Sequence, residues 1–381
     1  EGIHHGDIGY GKNYSYYQNP ATKLWQTVPW DLDLIWANNM YGNGNEPFKS
    51  RVANSSNFGH EYQNRLREIR DLLYNPEQTG ALIDEVATFI YKSGEPDFTD
   101  TNQAMWDYNP ILTSSYINGG KAGHGRFYEA TGTRNFAGML KLMKDYVVSR
   151  GNWIDNSLLT DNRIPRTPTA TYAGPTGNPA DSLTFRTSAF ADPQGAQTFG
   201  ALRWRIAEVN HPGIKGYEPR QRGKYEITAT WEGELDTFAD ELTVPITAVE
   251  LGRRYRIRVR HKDSTSRWSH WSSPIEIIPG PPVRLPDLRK YLAITEIHYD
   301  PAVPTAREIA AGFEASDFEF IELRNLHSTK PLDLAGLHFT RGIDFTFPAE
   351  SILAAGAFAL VVANPAAFES RYGKSLPVLG A

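Results

Sequence analysis

The sequence predicts a multidomain chain: a mixed α+β region first, then two regions of β-sandwich size. Three observations carry this expectation. The chain has 381 residues, more than one ordinary domain holds. Apolar residues follow helical spacing only before about residue 160, and period-two alternation takes over from about Thr169. Two proline-rich stretches, Pro165–Pro179 and Pro279-Gly280-Pro281-Pro282, punctuate the change. The expected domains are therefore 1–160, 165–282 and 288–381.

In the first region, Tyr14–Gln18 and Leu24–Trp30 are aromatic, strand-like runs separated by the turn residues Asn19-Pro20-Ala21-Thr22. Arg65, Leu66, Ile69, Leu72 and Leu73 take helical spacing, and Asn75-Pro76 is a stop signal. Leu82, Ile83, Val86, Phe89 and Ile90 repeat the pattern, as do Phe136, Met139, Leu140, Met143, Tyr146 and Val147. These are read as helices packing on a core. In the second region, Tyr255, Ile257 and Val259 alternate with Arg256, Arg258 and Arg260, giving one apolar and one cationic strand face. In the third, Ile294–Tyr299, Phe318–Leu323, Leu337–Phe339 and Phe358–Val362 read as short strands.

Composition excludes several function classes. The chain has no Cys, so disulfides, Cys-bound zinc and thiol nucleophiles are ruled out. A net charge of −5 without a long basic run makes nucleic acid an unexpected partner. No apolar run approaches the roughly 20 residues of a membrane span. No leader is read at Glu1, and the start is taken as a truncation. Gly-x-Ser-x-Gly and His-Glu-x-x-His do not occur, so those hydrolase and zinc-protease readings lose support. His4-His5 is a candidate metal pair by residue type, but in a Gly-flanked loop it reads as solvated, and His60, His124 and His211 are isolated.

The segment His5-Gly6-Asp7 through Lys12-Asn13, followed by Pro29-Trp30-Asp31-Leu32-Asp33, is the richest in chemistry. An antiparallel hairpin about the Asn19–Thr22 turn sets Asn13 opposite Val28 and brings Asp31 near the loop carrying Asp7. One acid, one amide and a second acid then converge. Phosphoryl transfer uses such a set: an Asp orients the hydroxyl proton while Asn and Asp hold Mg²⁺ against phosphate oxygens. Residue types alone leave ordinary loop capping open for Asp31 and Asp33.

The His-Gly-Asp, Lys-Asn-Tyr and Pro-Trp-Asp-Leu-Asp series, continued by Trp36-Ala37-Asn38-Asn39-Met40-Tyr41-Gly42, resembles the CotH (spore-coat-protein-H-like) kinase family over residues 1 to about 155. The resemblance implies the C-terminal lobe of an atypical protein-kinase-like fold that transfers phosphate from ATP to protein Ser. It implies Asp7 as catalytic base, Asn13 and Asp31 as Mg²⁺ ligands, and Asp33 as a further metal residue. Asn13 follows Asp7 by six residues, against five in typical protein kinases. The family's nucleotide-binding lobe, with its phosphate-contacting Lys, is expected to precede residue 1. Without it, the chain is expected to show little or no kinase activity.

Trp268-Ser269-His270-Trp271-Ser272 resembles the Trp-Ser-x-Trp-Ser signature of fibronectin type III domains, over about 165–282. Arg256, Arg258 and Arg260 are expected to interleave with Trp268 and Trp271, and Trp204 or Trp231 to fill the core. Ile294–Pro301 and Asp317–Asn325 resemble the lamin tail domain, with the last strands absent. Both resemblances imply immunoglobulin-like β-sandwiches. Glu296, Glu319 and Glu322 are read as outward strand positions. Together these imply an exported bacterial protein, extracellular or at the cell surface, acting on a protein substrate or cell-surface ligand. A non-catalytic adhesion or scaffold protein is the alternative.

Overall fold

The computed structural model describes residues 13–32, 35–36, 51, 54–55, 58–91, 99, 101–102, 105, 133, 135–339 and 341–381. Helix and sheet are mixed, with several small sheets. The chain forms two compact units. The first contains Glu1–Ala170, Thr187–Asp240 and Arg254–Glu276; the second contains Thr171–Arg186, Glu241–Arg253 and Ile277–Ala381. Segment 165–282 thus contributes to both.

The first unit begins with a hairpin of β1 (Tyr14–Gln18) and β2 (Trp25–Pro29). Asn19 builds its turn: the side-chain oxygen accepts from Ala21 N (2.9 Å) and Thr22 N (3.2 Å), and Asn19 N donates to Leu24 O at 2.9 Å. The register differs from the expected one by two residues. Tyr14 faces Pro29, and Asn13 lines up with Trp30 rather than Val28. The reason is Lys23, which takes a left-handed conformation (φ 59°) and lengthens the loop so that Asn19 and Leu24 close it.

Helix α1 (Gly59–Leu72) ends as expected before Asn75-Pro76, but that pair also starts α2 (Pro76–Ala87). The Asn75 side chain accepts from Gln78 N at 2.9 Å, and Pro76 occupies a first-turn position where no amide is needed. Helix α3 (Phe136–Ser157) is capped in the same way by Asn135. Tyr74, Ile83, Val147 and Ile154 form the core between these helices. Val86, Phe89 and Ile90 differ from expectation: α2 stops at Ala87, and all three are exposed. Asn75→Ala should lower the unfolding free energy of this unit by about 1 kcal/mol, the usual value of an N-cap, measurable by urea denaturation.

Strands β3 (Ala170–Tyr172), β4 (Thr184–Thr187) and β7 (Glu241–Thr243) form a three-stranded sheet that falls chiefly in the second unit. Strands β5 (Phe199–Glu208), β6 (Trp231–Leu235), β8 (Tyr255–Asp263) and β9 (Ile275–Ile277) form a sheet of order β6-β5-β8-β9 in the first. Its register pairs Trp204 with Val259 and Ile206 with Ile257 on one face, and Arg203 with Arg260 and Arg205 with Arg258 on the other. The apolar face is fully buried, and Trp204, not the half-buried Trp231, is its core tryptophan.

The cationic face is also buried, because α1 and α2 of the same unit meet it with polar side chains. A stripe along α1 reads the backbone of the loop after β8. His60 Nδ1 bonds to Thr265 O (3.1 Å), and Asn64 bonds to both Ser266 O (2.8 Å) and Trp268 N (3.0 Å). Arg67 donates to Trp268 O (2.9 Å), while Asp71 accepts from Trp271 N (2.9 Å) and His270 Nδ1 (2.8 Å). These positions recur at three- and four-residue spacing and so share one helix face. From α2, Glu77 pairs with Arg256, and Gln78 Oε1 accepts from Glu226 N at 2.9 Å. Glu85 accepts from Gly223 N at 2.7 Å and from the Tyr225 hydroxyl at 2.6 Å.

The second unit adds α4 (Leu285–Tyr291), β10 (Leu292–His298), α5 (Ala306–Ala310), β11 (Phe320–Asn325), β12 (Leu332–Asp333), β13 (Ile352–Leu353), β14 (Phe358–Val362), α6 (Pro365–Tyr372) and β15 (Val378–Gly380). Its larger sheet runs β10-β11-β14-β15, and the last pair is parallel. Leu288, Ile321, Leu323, Leu334, Phe347 and Val361 are central to its core. Leu337–Phe339, expected as a strand, makes only an isolated bridge between His338 and Thr346. Glu296 is exposed, and Glu322 accepts from Thr295 Oγ1 at 2.6 Å, so it serves a cross-strand contact.

Candidate active site at the open end of the hairpin

Of the four residues expected to carry chemistry, Asn13 and Asp31 are described, and Asp7 and Asp33 lie outside the described residues. The hairpin ladder ends where Trp30 N donates to Asn13 O at 2.8 Å. Asn13 and Asp31 sit at this closing pair, and both take left-handed backbone, with φ of 58° and 56°. Asn and Asp tolerate that region better than other non-glycine residues. The chain therefore leaves the ladder at the two positions singled out for their side chains.

Asp31 is exposed, and its carboxylate has no hydrogen bond or ion pair among the described residues. A capping role would require such a bond, and the described residues supply none. An amide oxygen and a free carboxylate are hard oxygen donors of the kind Mg²⁺ takes, which fits the implied ion. Among the described residues, no cluster of three or more His, Cys, Asp or Glu could hold a metal. The described pair is thus part of a donor set at most.

Trp36 follows in the same segment, also left-handed at φ 61°, and stacks on Tyr74 with centroids 5.9 Å apart and an interplanar angle of 16°. Residues 2–154 match the family model described as CotH kinase protein. This part of the chain is CotH-like. The comparison with curated proteins found no match. No helix among the described residues is long and apolar enough to cross a membrane.

The Arg–Trp array was the other place where a ligand could bind. It exists, but with different members. Arg260 lies 4.5 Å from the Trp268 ring and 4.3 Å from Trp271; Arg203 lies 5.1 Å and Lys262 5.0 Å from Trp268, and Arg205 lies 5.5 Å from Trp271. Arg256 and Arg258 do not interleave, because the buried Glu226 takes both: Arg258 forks onto it at 2.8 Å and Arg256 reaches it at 3.2 Å. Trp268 and Trp271 are only 7% and 4% exposed, so neither ring is open to a ligand and the array is a structural ladder. Arg203 and Arg205 were legible as partners, since Leu202-Arg203-Trp204-Arg205-Ile206 alternates as β8 does.

A cleft of about 490 Å³ beside this array is lined by Arg70, Asp71, Glu77, Asp155, Arg258 and His270. Its charges are satisfied within the unit, Arg70 by Asp155 at 2.7 Å and Asp71 by His270 at 2.8 Å. It presents no unpaired charge to a ligand.

Proposed function

We propose that the chain is the C-terminal lobe of an exported CotH-like atypical protein kinase, carrying fibronectin type III-like and lamin-tail-like modules. The observation that carries this reading is the left-handed Asp31 at the hairpin's open end, without a side-chain partner among the described residues and inside the region that matches the CotH kinase family. In the reaction, Asp7 accepts the proton of a substrate Ser hydroxyl, and Asn13, Asp31 and Asp33 hold Mg²⁺. The ion, when bound with ATP, neutralises the phosphate oxygens during transfer. Strand orders of β3-β4-β7 and β6-β5-β8-β9 support the fibronectin type III-like reading, and the antiparallel run β10-β11-β14 supports the lamin-tail-like one. Such modules suit a protein acting at the cell surface or outside the cell.

Mn²⁺, observed by electron paramagnetic resonance, replaces Mg²⁺ in the test. The wild-type chain should bind it, and Asp31→Asn should weaken binding about tenfold or more, since even outer residues of metal sites are worth that much. Transfer of labelled phosphate from ATP to a Ser-containing protein by a version extended at its N-terminus, lost in Asp7→Asn, completes the test. Equal Mn²⁺ binding by wild type and Asp31→Asn, without transfer, would leave the scaffold alternative.

A further inference from the structure

We propose that the outer edge of β10, in the second unit, receives an extended peptide of a partner protein, one that alternates apolar and cationic residues. Strand β10 stands first in the order β10-β11-β14-β15, so only one of its edges is paired. Among the described residues, no backbone group outside the sheet bonds to Leu292–His298. An open strand edge is a row of unpaired N–H and C=O groups, the template for strand addition. Sheet edges are commonly blocked by Lys, Pro or inward-turned charges, and β10 carries no Lys or Pro.

A bulge at Thr295 gives this edge an apolar face. Ile294 pairs with Leu323 and Ile297 with Ile321, the register slipping between Ile294 and Glu296. Residues three apart on a regular strand point to opposite faces. The bulge instead puts both isoleucines on the face that Leu323 and Ile321 turn to the core. Leu323 and Ile321 are 3% and 7% exposed, whereas Ile294 and Ile297 are 52% and 59% exposed. Packing over that face therefore stops short of β10 and leaves two apolar side chains for an added strand to cover.

Charge selects the occupant. On the opposite face Glu296 stands directly across from Glu322, and like charges so placed repel. The only ion-pair partner of Glu296 is His298, with Nδ1 at 3.7 Å, and no Lys or Arg occurs between Lys290 and Arg307. Pairing β10 with a second copy, in the register that joins the isoleucines, sets the two Glu296 carboxylates at adjacent positions and adds like charge. A peptide with Lys or Arg opposite Glu296, and Val or Ile beside Ile294 and Ile297, satisfies both faces.

The experiment uses the full 381-residue chain and a labelled, end-blocked peptide of four Val-Lys repeats. Fluorescence anisotropy reads affinity, hydrogen exchange reads strand addition, and analytical ultracentrifugation reads the oligomeric state. The peptide should bind and slow exchange at the β10 amides. A Val-Glu peptide should bind about tenfold more weakly, and Glu296→Lys should reverse that preference. A Val-Lys peptide N-methylated along one edge should not bind, because its ladder bonds are lost. Ile294→Ser combined with Ile297→Ser should weaken binding about tenfold or more, with β11 amides keeping their protection. Absence of Val-Lys binding overturns the proposal, as does binding that survives both Glu296→Lys and N-methylation. A wild-type dimer that the paired Ser substitutions dissociate also overturns it, since the edge then belongs to a second copy.

Discussion

Trp268→Ala is expected to destabilise the first unit by about 3–5 kcal/mol, the range for deleting a large buried aromatic side chain. The ring is 7% exposed and faces three cations, Arg203, Arg260 and Lys262, all within 5.1 Å of its centroid. A desolvated cation–π contact contributes about 2 kcal/mol, but these share one ring and do not add. The charge left behind is the more serious loss. Arg260 is 3% exposed, burial pushes its pKa down to about 10, and its carboxylate partner Glu68 stands 3.4 Å away. Without the ring, that cation and its neighbours face a cavity. Trp268→Phe should lose less than half as much, because a ring remains between the guanidinium groups. Trp25→Ala, at a residue 66% exposed, should stay within about 0.5 kcal/mol of wild type. Urea unfolding followed by circular dichroism reads all three, and an unchanged midpoint in Trp268→Ala would show that the ladder contributes nothing.

The same substitution bears on the CotH-like region, because α1 binds the backbone on either side of Trp268. Asn64 holds Ser266 O and Trp268 N, Arg67 holds Trp268 O, and Asp71 holds Trp271 N. Most of these partners are backbone groups, so the contact reads loop shape more than side-chain identity. The sheet β6-β5-β8-β9 is therefore a foundation for α1 and α2, and α1 leads directly to Tyr74 and the Trp36 stack.

What was legible in the sequence was what short-range chemistry decides. The hairpin strands, the three helices and the two faces of β8 follow from alternation, caps and turn residues within a few positions of each other. The hairpin register did not follow, because a lysine in the left-handed region carries no signal, and Lys23 shifts the pairing by two residues. The partners of Arg256 and Arg258 did not follow either. Glu226 and Glu77 reach them across 30 and 179 positions of sequence, and nothing in a local pattern announces that. At the candidate site, residue types pointed to Asn13 and Asp31, while the left-handed backbone that both adopt had no signal in their spacing.

Acid should destabilise the first unit well above the pH where carboxylates titrate, and His261 is the main reason. It is completely buried in β8, between the rings of Phe190 and Phe238 at 5.8 and 5.9 Å. Its Nε2 meets Thr187 Oγ1 at 3.2 Å, and its Nδ1 has no partner. No counter-charge faces the ring; burial alone pushes its pKa from 6.5 down to about 4. Because the folded value lies below the unfolded one, the unfolded chain takes the proton first. Stability is therefore full above about pH 6.5, falls as pH drops through the window to 4, and levels off below it. That gap corresponds to about 3 kcal/mol at most, with about 2 kcal/mol already lost by pH 5. His211 is also fully buried, its pKa is lowered by the same cause, and it pulls in the same direction. His261→Gln retains a polar group for Thr187 but cannot take up the proton. Its unfolding free energy should be flatter than wild type between pH 6.5 and 5, a range in which the carboxylates contribute equally to both proteins. Parallel pH profiles for the two would mean that His261 is protonated in the folded sheet at no penalty, which its apolar surroundings forbid.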